Sequence, residues 1–144
     1  MDIEVKKRLE QRVKKNPFVS FLGIEIISVE KGRVEARMPI REEVKQYCGA
    51  AHGGALAALG DTIAGIAAYS MTPIENDVLT AEMKTSFLRP AFGVELKAIG
   101  YVIKPGRNIH FAECEIYAEN KLVAKFSGTF SVVGPQTGVF PKNE

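Results

Sequence analysis

The sequence predicts an α+β domain, in which an antiparallel β-sheet packs against one long buried helix. The helix is predicted from Gly53 to Ser70, where the chain is apolar and rich in alanine and glycine, and it ends near Pro73. After this helix the chain contains only β-prone segments separated by turn signals such as Pro105-Gly106. Before it lies a β-hairpin that turns at Lys31-Gly32. This order of elements is typical of a sheet with one helix layered on it.

A short amphipathic helix is predicted at the start of the chain, over Asp2–Lys15. Leu9 and Val13 lie four residues apart among charged residues, which is the spacing of one helix face. Asn16-Pro17 ends this helix, because a proline cannot continue it.

The strands are predicted from the alternation of apolar and polar residues, which is clearest in the second arm of the hairpin, 33–40. The predicted strands are Gly23–Glu30, Arg33–Ile40, Asp77–Arg89, Gly93–Lys104, Asn108–Ala118 and Leu122–Val133. The last four are expected to form an antiparallel meander. The folded domain is therefore expected over residues 17–134, after an N-terminal helix of residues 1–16 and before a flexible tail of residues 135–144.

Composition and charge narrow the class of protein. The chain has 144 residues, enough for one domain that buries well over half of its unfolded surface. Its net charge of +2 is too small to indicate nucleic acid as the main partner. Cys48 and Cys114 form no disulfide or zinc pattern, and no secretory signal is evident, so we expect a cytoplasmic protein. The aspartate in the middle of the apolar helix argues against a membrane span.

Asp61 is the charged residue in the middle of this apolar helix. Burying an unpaired carboxylate costs free energy, so its presence there indicates a function. On a wheel of about 100° per residue, Asp61 points away from the side that should pack on the sheet. That packing side comprises Leu56, Leu59, Ile63, Ile66 and Ala67. The neighbours of Asp61 are small, namely Ala57, Ala58, Ala64, Gly65 and Ala68. Because small side chains permit close approach, we expect a second copy of the chain to cover this face.

The amino end of the same helix carries a second candidate group. Gly53 and Gly54 offer free backbone N–H groups at the positive end of the helix dipole, where they can polarise a carbonyl and stabilise an oxyanion. Asp61 lies about 12 Å further along the axis, which is too far for both groups to act on one carbonyl within a single chain. An antiparallel partner helix would bring Asp61 of one subunit near Gly53 of the other. We therefore expect a shared site.

The residues around this helix resemble the signature of a known family. The run from Gln46 to Asp61, QYCGAAHGGALAALGD, resembles that of hotdog-fold acyl-CoA thioesterases of the phenylacetate-degradation (PaaI) type. Further similar segments are 79–83, 87–91, 104–107, 122–124 and 128–130. The resemblance covers roughly residues 17–133, and the spacing from His52 to Asp61 is its most specific part. It implies a hotdog fold, in which an antiparallel sheet wraps around one long central helix.

The resemblance implies hydrolysis of aryl- or fatty-acyl-CoA to the free acid and CoA, with a role for each matched residue. The Gly53 N–H would bind the thioester carbonyl oxygen, and Asp61 of the neighbouring subunit would act as nucleophile or as general base on water. Thr80 would help to position that water, and His52 would orient the thioester. Gln46 stands where the family commonly has asparagine, so its amide reaches one methylene further.

The resemblance also implies where coenzyme A binds. The turn at 105–108 offers backbone N–H groups beside cations, an arrangement suited to phosphates. The residues expected to bind coenzyme A are Gly54, Arg89, Pro90, Lys104, Gly106, Arg107 and Asn108. The expected reaction requires no cofactor or metal. The family implies a homodimer at minimum and a homotetramer built as a dimer of dimers, with no nucleic-acid or membrane partner.

Other interpretations of these residues stay open. Asp61 is also compatible with a structural carboxylate satisfied by a hydrogen bond, and His52 with a simple helix cap. Gly53-Gly54 is also compatible with a tight turn into the helix. A nucleophilic Cys48 is disfavoured because a loop cysteine is usually incidental, and two scattered histidines do not supply a metal site.

Two rival functions remain at this stage. A non-catalytic acyl-CoA-binding sensor would use the same fold without turnover, although the intact Asp61 argues against it. A hotdog enoyl-CoA hydratase would need a histidine at helical spacing after Asp61, and the helix contains none. Release of free thiol from acyl-CoA distinguishes hydrolysis from both.

Overall fold

The computed structural model describes residues 3–135. The helices are α1 (Ile3–Lys14), α2 (Pro17–Leu22) and α3 (Gly53–Ser70), with a 3₁₀ turn at Glu42–Val44. The strands are β1 (Glu25–Glu30), β2 (Arg33–Pro39), β3 (Asp77–Phe87), β4 (Glu95–Lys104), β5 (Ile109–Ala118) and β6 (Lys121–Val133). The tail predicted over residues 135–144 lies, apart from Pro135, outside the described residues. No helix within the described range is long and apolar enough to cross a membrane.

The strands form one antiparallel sheet in the order β1-β2-β4-β5-β6-β3. The prediction that the last four strands form a meander in chain order was therefore wrong. β4, β5 and β6 do pair in sequence, but β3 pairs with β6 and forms an edge of the sheet. Apolar alternation identifies a strand but not its partner. Helix α3 packs across the sheet, and the point at which the chain leaves α3 determines where β3 begins. The pairing partner of β3 follows from that position.

The predicted packing side of α3 is confirmed. Its large side chains are buried against the sheet: Leu56, Leu59, Ile63 and Ile66 are all at most 4% exposed. The helix lies so close to the sheet that a Cβ at Gly100 of β4 would be 2.7 Å from the Ile63 carbonyl oxygen. Ala64 and Ala68, predicted on the outward face, are fully buried within the chain instead. Neighbouring segments of the same chain cover that part of the helix, which a single-helix wheel cannot reveal.

A second short helix, α2, follows α1 directly and was not predicted. Asn16 is its N-cap, with the Asn16 side-chain oxygen accepting the Val19 N–H at 3.5 Å, and Pro17 occupies the first turn. Gly23 ends α2 in the left-handed conformation at φ 75°. The Asn16-Pro17 pair therefore ends one helix and begins the next. Because α1 ends and α2 begins at this pair, the chain changes direction there, and α1 lies along α3.

Candidate active site

Asp61 of α3 and Thr80 of β3 form a hydrogen-bonded pair. The Thr80 hydroxyl donates to Asp61 Oδ1 at 2.7 Å. The pairing register of β3 with β6 shifts between Thr80 and Glu82, so a bulge lies directly after Thr80. Burial raises the pKa of the Asp61 carboxyl above its ordinary value, and the Thr80 hydrogen bond opposes that rise. A carboxylate of raised pKa is a stronger base than a free one, which suits proton abstraction from water.

A cavity of about 120 Å³ opens beside this pair. Its polar lining is Arg12, Asn16, Asp61, Thr62 and Thr80, and its apolar lining is Val13, Val19, Gly65, Ile66, Val78 and Phe130. The cavity therefore lies between α3, the edge strand β3 and the N-terminal helices. We call it the Asp61 cavity.

His52 is the N-cap of α3. Its Nδ1 accepts the Gly54 N–H at 2.8 Å, and its carbonyl oxygen accepts the N–H groups of Ala55 and Leu56. The Gly54 N–H, predicted to face coenzyme A, is thus engaged by the cap. The Gly53 N–H has no acceptor among residues 3–135. Of the first two amides of the helix, Gly53 is the one free to donate to a ligand.

A second and more open cavity, of about 420 Å³, lies at this end of α3. Predicted site residues Gln46, Gly53, Arg89 and Pro90 line it together, so we call it the Gly53 groove. The ring of Phe87 lies close to Gly53, at 3.4 Å from where a Cβ would stand. The sequence predicts Gln46 and Gly53 from the motif 46–61, and Arg89 and Pro90 from the segment 87–91. The structure brings the motif and the segment together in the same groove.

Gln46 uses part of its amide within the loop. Its side-chain oxygen accepts the Cys48 N–H at 2.5 Å, and its backbone N–H donates to the Ala50 carbonyl at 2.9 Å. Gly49 takes φ 94°, which closes this tight loop. The oxygen of Gln46 is therefore engaged, and its NH₂ group is the part that can reach a ligand.

The predicted phosphate-binding turn lies elsewhere on the chain. Gly106 donates its N–H to His110 Nδ1 at 3.2 Å, and His110 Nε2 lies 3.2 Å from the Thr72 hydroxyl, just beyond the carboxyl end of α3. Since α3 has 18 residues, the turn and the Gly53 groove lie at opposite ends of a helix about 27 Å long. Within one chain, the structure does not bring Lys104, Gly106, Arg107 and Asn108 to Arg89 and Pro90.

The predicted site is thus divided between separate regions of one chain. Asp61 and Thr80 line the Asp61 cavity, whereas Gly53 and Gln46 line the Gly53 groove. No group of three or more His, Cys, Asp or Glu side chains in the described range is arranged to hold a metal ion. What the chain offers is a basic carboxylate in one cavity and a free amide donor in another.

Comparison with known proteins decides the family. The family model of the thioesterase superfamily matches residues 49–125, which is more than half of the chain and includes Gly53, Asp61 and Thr80. The chain belongs to the thioesterase superfamily. It is a thioester hydrolase, and the observed sheet with its long central helix is the hotdog fold of that superfamily.

Similar proteins agree with this assignment. A thioesterase family protein from Silicibacter pomeroyi is 30% identical, with a TM-score of 0.87, and the match covers 90% of this thioesterase and 98% of that chain. The E. coli PaaI protein from the phenylacetic acid degradation operon is 26% identical, with a TM-score of 0.83 over 90% and 94% of the two chains. The proofreading thioesterase EntH of Klebsiella pneumoniae is 32% identical over 72% of this chain and 76% of its own. The PaaI-type resemblance is confirmed.

Several residues of the Asp61 cavity escaped the sequence analysis. They come from the two N-terminal helices of this thioesterase and the link between them, about 40 to 50 residues before Asp61 in the chain, and are Arg12, Val13, Asn16 and Val19. The amphipathic spacing predicts that Val13 faces inward, but it does not show which part of the fold Val13 packs against. Only the tertiary fold brings α1 beside α3.

Proposed function

We propose that this thioesterase hydrolyses aryl- or fatty-acyl-CoA, and that each active site is assembled from two subunits. The observation that carries the proposal is the separation of its two key groups. The Asp61–Thr80 pair lines one cavity, and the free Gly53 N–H lines another. Hydrolysis needs a base near the attacking water and an oxyanion donor near the oxygen of the same carbonyl. A second subunit is the means by which this chain can supply both.

The edge strand β3 supports a two-subunit arrangement. β3 pairs with β6 on one side only, and its exposed side chains include Leu79, Met83 and Phe87, at 41%, 47% and 55% exposure. Long apolar edge strands are normally covered, because their free backbone groups pair with any strand that reaches them. If β3 pairs with β3 of a second copy in antiparallel fashion, the two α3 helices also run antiparallel. Asp61 of each copy then approaches Gly53 of the other. A tetramer of two such dimers rests on the family resemblance alone.

The proposed reaction follows from these groups. Asp61 accepts a proton from water, the water oxygen bonds to the thioester carbonyl carbon, and the oxyanion so formed accepts a hydrogen bond from the partner's free amide. The oxyanion then re-forms the carbonyl, and the C–S bond breaks. Sulfur leaves with the bonding electrons and takes up the proton from Asp61. The products are the free acid and the CoA thiol.

A direct attack by Asp61 is the alternative route. The carboxylate would then bond to the acyl carbon and displace the CoA thiolate, and water would hydrolyse the resulting anhydride. Both routes use the same geometry. Burial raises the pKa of the Asp61 carboxyl and so strengthens it both as a base and as a nucleophile, which suits either route.

The expected coenzyme A residues fit the same dimer. Arg89 is exposed beside the Gly53 groove, with one guanidinium nitrogen on the Leu122 carbonyl at 2.8 Å and the rest facing solvent. The turn carrying Lys104 and Arg107 lies near the other end of α3, so an antiparallel partner would bring its own turn towards this groove. Cations from both subunits would then face the phosphates. The expectation of a cytoplasmic location stays a prediction.

The experiment that tests a shared site uses two inactive variants. Asp61→Asn removes the base but keeps the amide donor. Gly53→Pro removes the amide donor but keeps the base, and proline fits this position because it is the first residue of the helix and His52 has the extended φ −62°, ψ 138° that precedes proline well. Each variant alone is expected to lose about 10²–10⁴-fold in kcat for thiol release from acyl-CoA.

The two variants are then co-expressed so that mixed dimers form. In a mixed dimer one site contains both intact groups, so the population should recover about a quarter of the wild-type rate. Gly53→Ala, which keeps the N–H and adds only an ordinary contact with Phe87, is the matched control and should stay active. If the mixture stays as inactive as its components, the site is not shared. If the wild type binds acyl-CoA without releasing thiol, the proposed hydrolysis of acyl-CoA is wrong.

A further inference from the structure

Two arginines of the N-terminal helix α1 bind to the carboxyl end of α3. Arg8 donates from Nε to the Tyr69 hydroxyl at 3.1 Å and from Nη1 to the Thr72 carbonyl at 3.1 Å. The guanidinium carbons of Arg8 and Arg12 lie 4.1 and 4.2 Å from the centre of the Tyr69 ring. Leu9, between them in sequence, is fully buried. Helix α1 is therefore held in one position against α3.

This position makes α1 a wall of the Asp61 cavity. Arg12, Val13 and Asn16 line the cavity, and Arg12 also forms an ion pair with Asp77 at the start of β3. Along β3 the order is Asp77 at the α1 wall, Val78 in the lining, and Thr80 beside the catalytic carboxylate. The cavity thus runs from the Asp61–Thr80 pair to α1.

The length of β3 between these points measures the depth of the cavity. Asp77, the partner of Arg12, lies three positions before Thr80, and a strand rises about 3.3 Å per residue, so the α1 wall is about 10 Å from Thr80. Because an extended chain is a zigzag, its C–C bonds of about 1.5 Å each advance it by about 1.25 Å, so a chain of about eight carbons reaches that distance. The volume of about 120 Å³ is of the same order as an apolar cavity that holds a single aromatic ring.

The two cavities divide the substrate between them. The Gly53 groove is the larger and carries the exposed Arg89, which suits the long and charged coenzyme A. The Asp61 cavity is smaller, and its lining combines polar groups with apolar side chains such as Val13, Val78 and Phe130, which suit the acyl group. Helices α1 and α2 lie outside residues 49–125, so the matched part of the superfamily does not specify this wall.

We propose that α1 forms the far wall of the acyl pocket and that Val13 sets the longest acyl group the enzyme accepts. The substrates are then acyl-CoAs with a short chain or a single ring, and long-chain acyl-CoAs are excluded. This proposal rests on the proposed function. Val13 is partly buried on the inner side of α1 and contributes its side chain to the cavity, so its size directly changes the space available.

The test compares acyl-chain profiles of point variants in the full-length protein. kcat/KM for thiol release is measured with butyryl-, hexanoyl-, octanoyl-, decanoyl- and palmitoyl-CoA. The wild type is expected to fall steeply beyond octanoyl-CoA. Val13→Ala should raise the ratio of decanoyl to butyryl activity about tenfold, and Val13→Phe should lower the ratio of octanoyl to butyryl activity by a similar factor, since each added or removed methylene in a pocket changes kcat/KM about 10-fold or more.

Val5→Ala is the matched control. Val5 is also a partly buried valine of α1 that packs on the core, but it does not line the cavity. Shortening its side chain therefore tests the effect of a less stable α1 without changing the pocket. Its chain profile should equal that of the wild type. Opposite shifts in Val13→Ala and Val13→Phe cannot arise from destabilisation alone, because both variants would then lose activity with all substrates alike.

The outcomes separate this inference from the proposed function. A wild type that releases thiol but whose profile is unchanged in both Val13 variants overturns the inference and leaves the function standing. A wild type that prefers palmitoyl-CoA overturns it as well. A wild type that hydrolyses no acyl-CoA overturns the proposed function, and the inference falls with it.

Discussion

Thr80 donates its hydroxyl hydrogen to Asp61 at 2.7 Å, and this bond joins the edge strand of the sheet to the middle of the central helix. The two residues are nineteen positions apart in the chain, and the bulge after Thr80 accompanies the contact. The hydrogen bond is the one favourable contribution that offsets the burial of the carboxylate. It therefore orients Asp61 and partly opposes the rise in the Asp61 pKa that burial causes.

Removing this hydroxyl should shift the pH dependence of catalysis. The Thr80 bond lowers the pKa of Asp61, so Thr80→Val should raise that pKa further and move the acid limb of the kcat/KM profile to higher pH. Thr80→Ser keeps the hydroxyl and should retain the wild-type acid limb. The measurement is the pH profile of thiol release for the three proteins. An unchanged acid limb in Thr80→Val would mean that Asp61 is not the titrating base.

His52 carries both a capping role and a predicted catalytic role, and two variants separate them. His52→Ala loses the side-chain acceptor for the Gly54 N–H, and this should cost about 1 kcal/mol of stability, measured by thermal unfolding. His52→Asn can cap in the same way and should restore the melting temperature. If His52 also orients the thioester, kcat stays reduced in His52→Asn. Full recovery of both the melting temperature and kcat in His52→Asn would mean that His52 acts only as a helix cap.

His110 should make folding stability depend on pH. The ring is 2% exposed, its Nδ1 accepts the Gly106 N–H, and its Nε2–H therefore faces the Thr72 hydroxyl, which itself donates to the Ala68 carbonyl at 2.9 Å. Burial lowers the pKa of the folded ring below the ordinary value of about 6.5.

The sign of this effect follows from proton uptake. Below about pH 6.5 the unfolded chain binds a proton at His110 that the folded protein does not, so stability is full above that pH and falls as the pH drops through it. The denaturant midpoint of the wild type should therefore fall as the pH drops through about 6.5, whereas that of His110→Asn lacks this step, so the difference between the two proteins changes with pH. A constant difference between the two proteins from pH 5 to pH 8 would contradict the prediction.

The close approach of α3 to the sheet should make Gly100 intolerant of a side chain. A Cβ there would lie 2.7 Å from the Ile63 carbonyl oxygen and 2.8 Å from the Ile63 Cγ2, so α3 would have to move. Gly100→Ala should cost about 1–3 kcal/mol, as overpacked cores do. Gly53→Ala, whose new Cβ meets only the Phe87 ring at 3.4 Å, should be close to neutral. Urea unfolding of both variants gives the comparison.

Sequence alone predicted the helix α3 at its observed bounds, because a long apolar run between a glycine pair and a proline has few other outcomes. It also identified Asp61, since a lone charge in such a run stands out, and the motif pointed to Thr80. It could not pair β3 with β6, because alternation contains no information on partners. The α1 wall of the Asp61 cavity stayed hidden for a related reason: the position of α1 beside α3 depends on how α2 turns the chain.

The open edge of β3 has a consequence for how the enzyme responds to its own abundance. If each catalytic centre needs two molecules, the turnover per molecule declines as the protein is diluted below the dissociation constant of its dimer, and the total rate then scales with the square of protein concentration. In that range, halving the protein concentration would cut the total rate about fourfold, so the activity would fall more steeply than the abundance. Assays at trace amounts would underestimate it for the same reason.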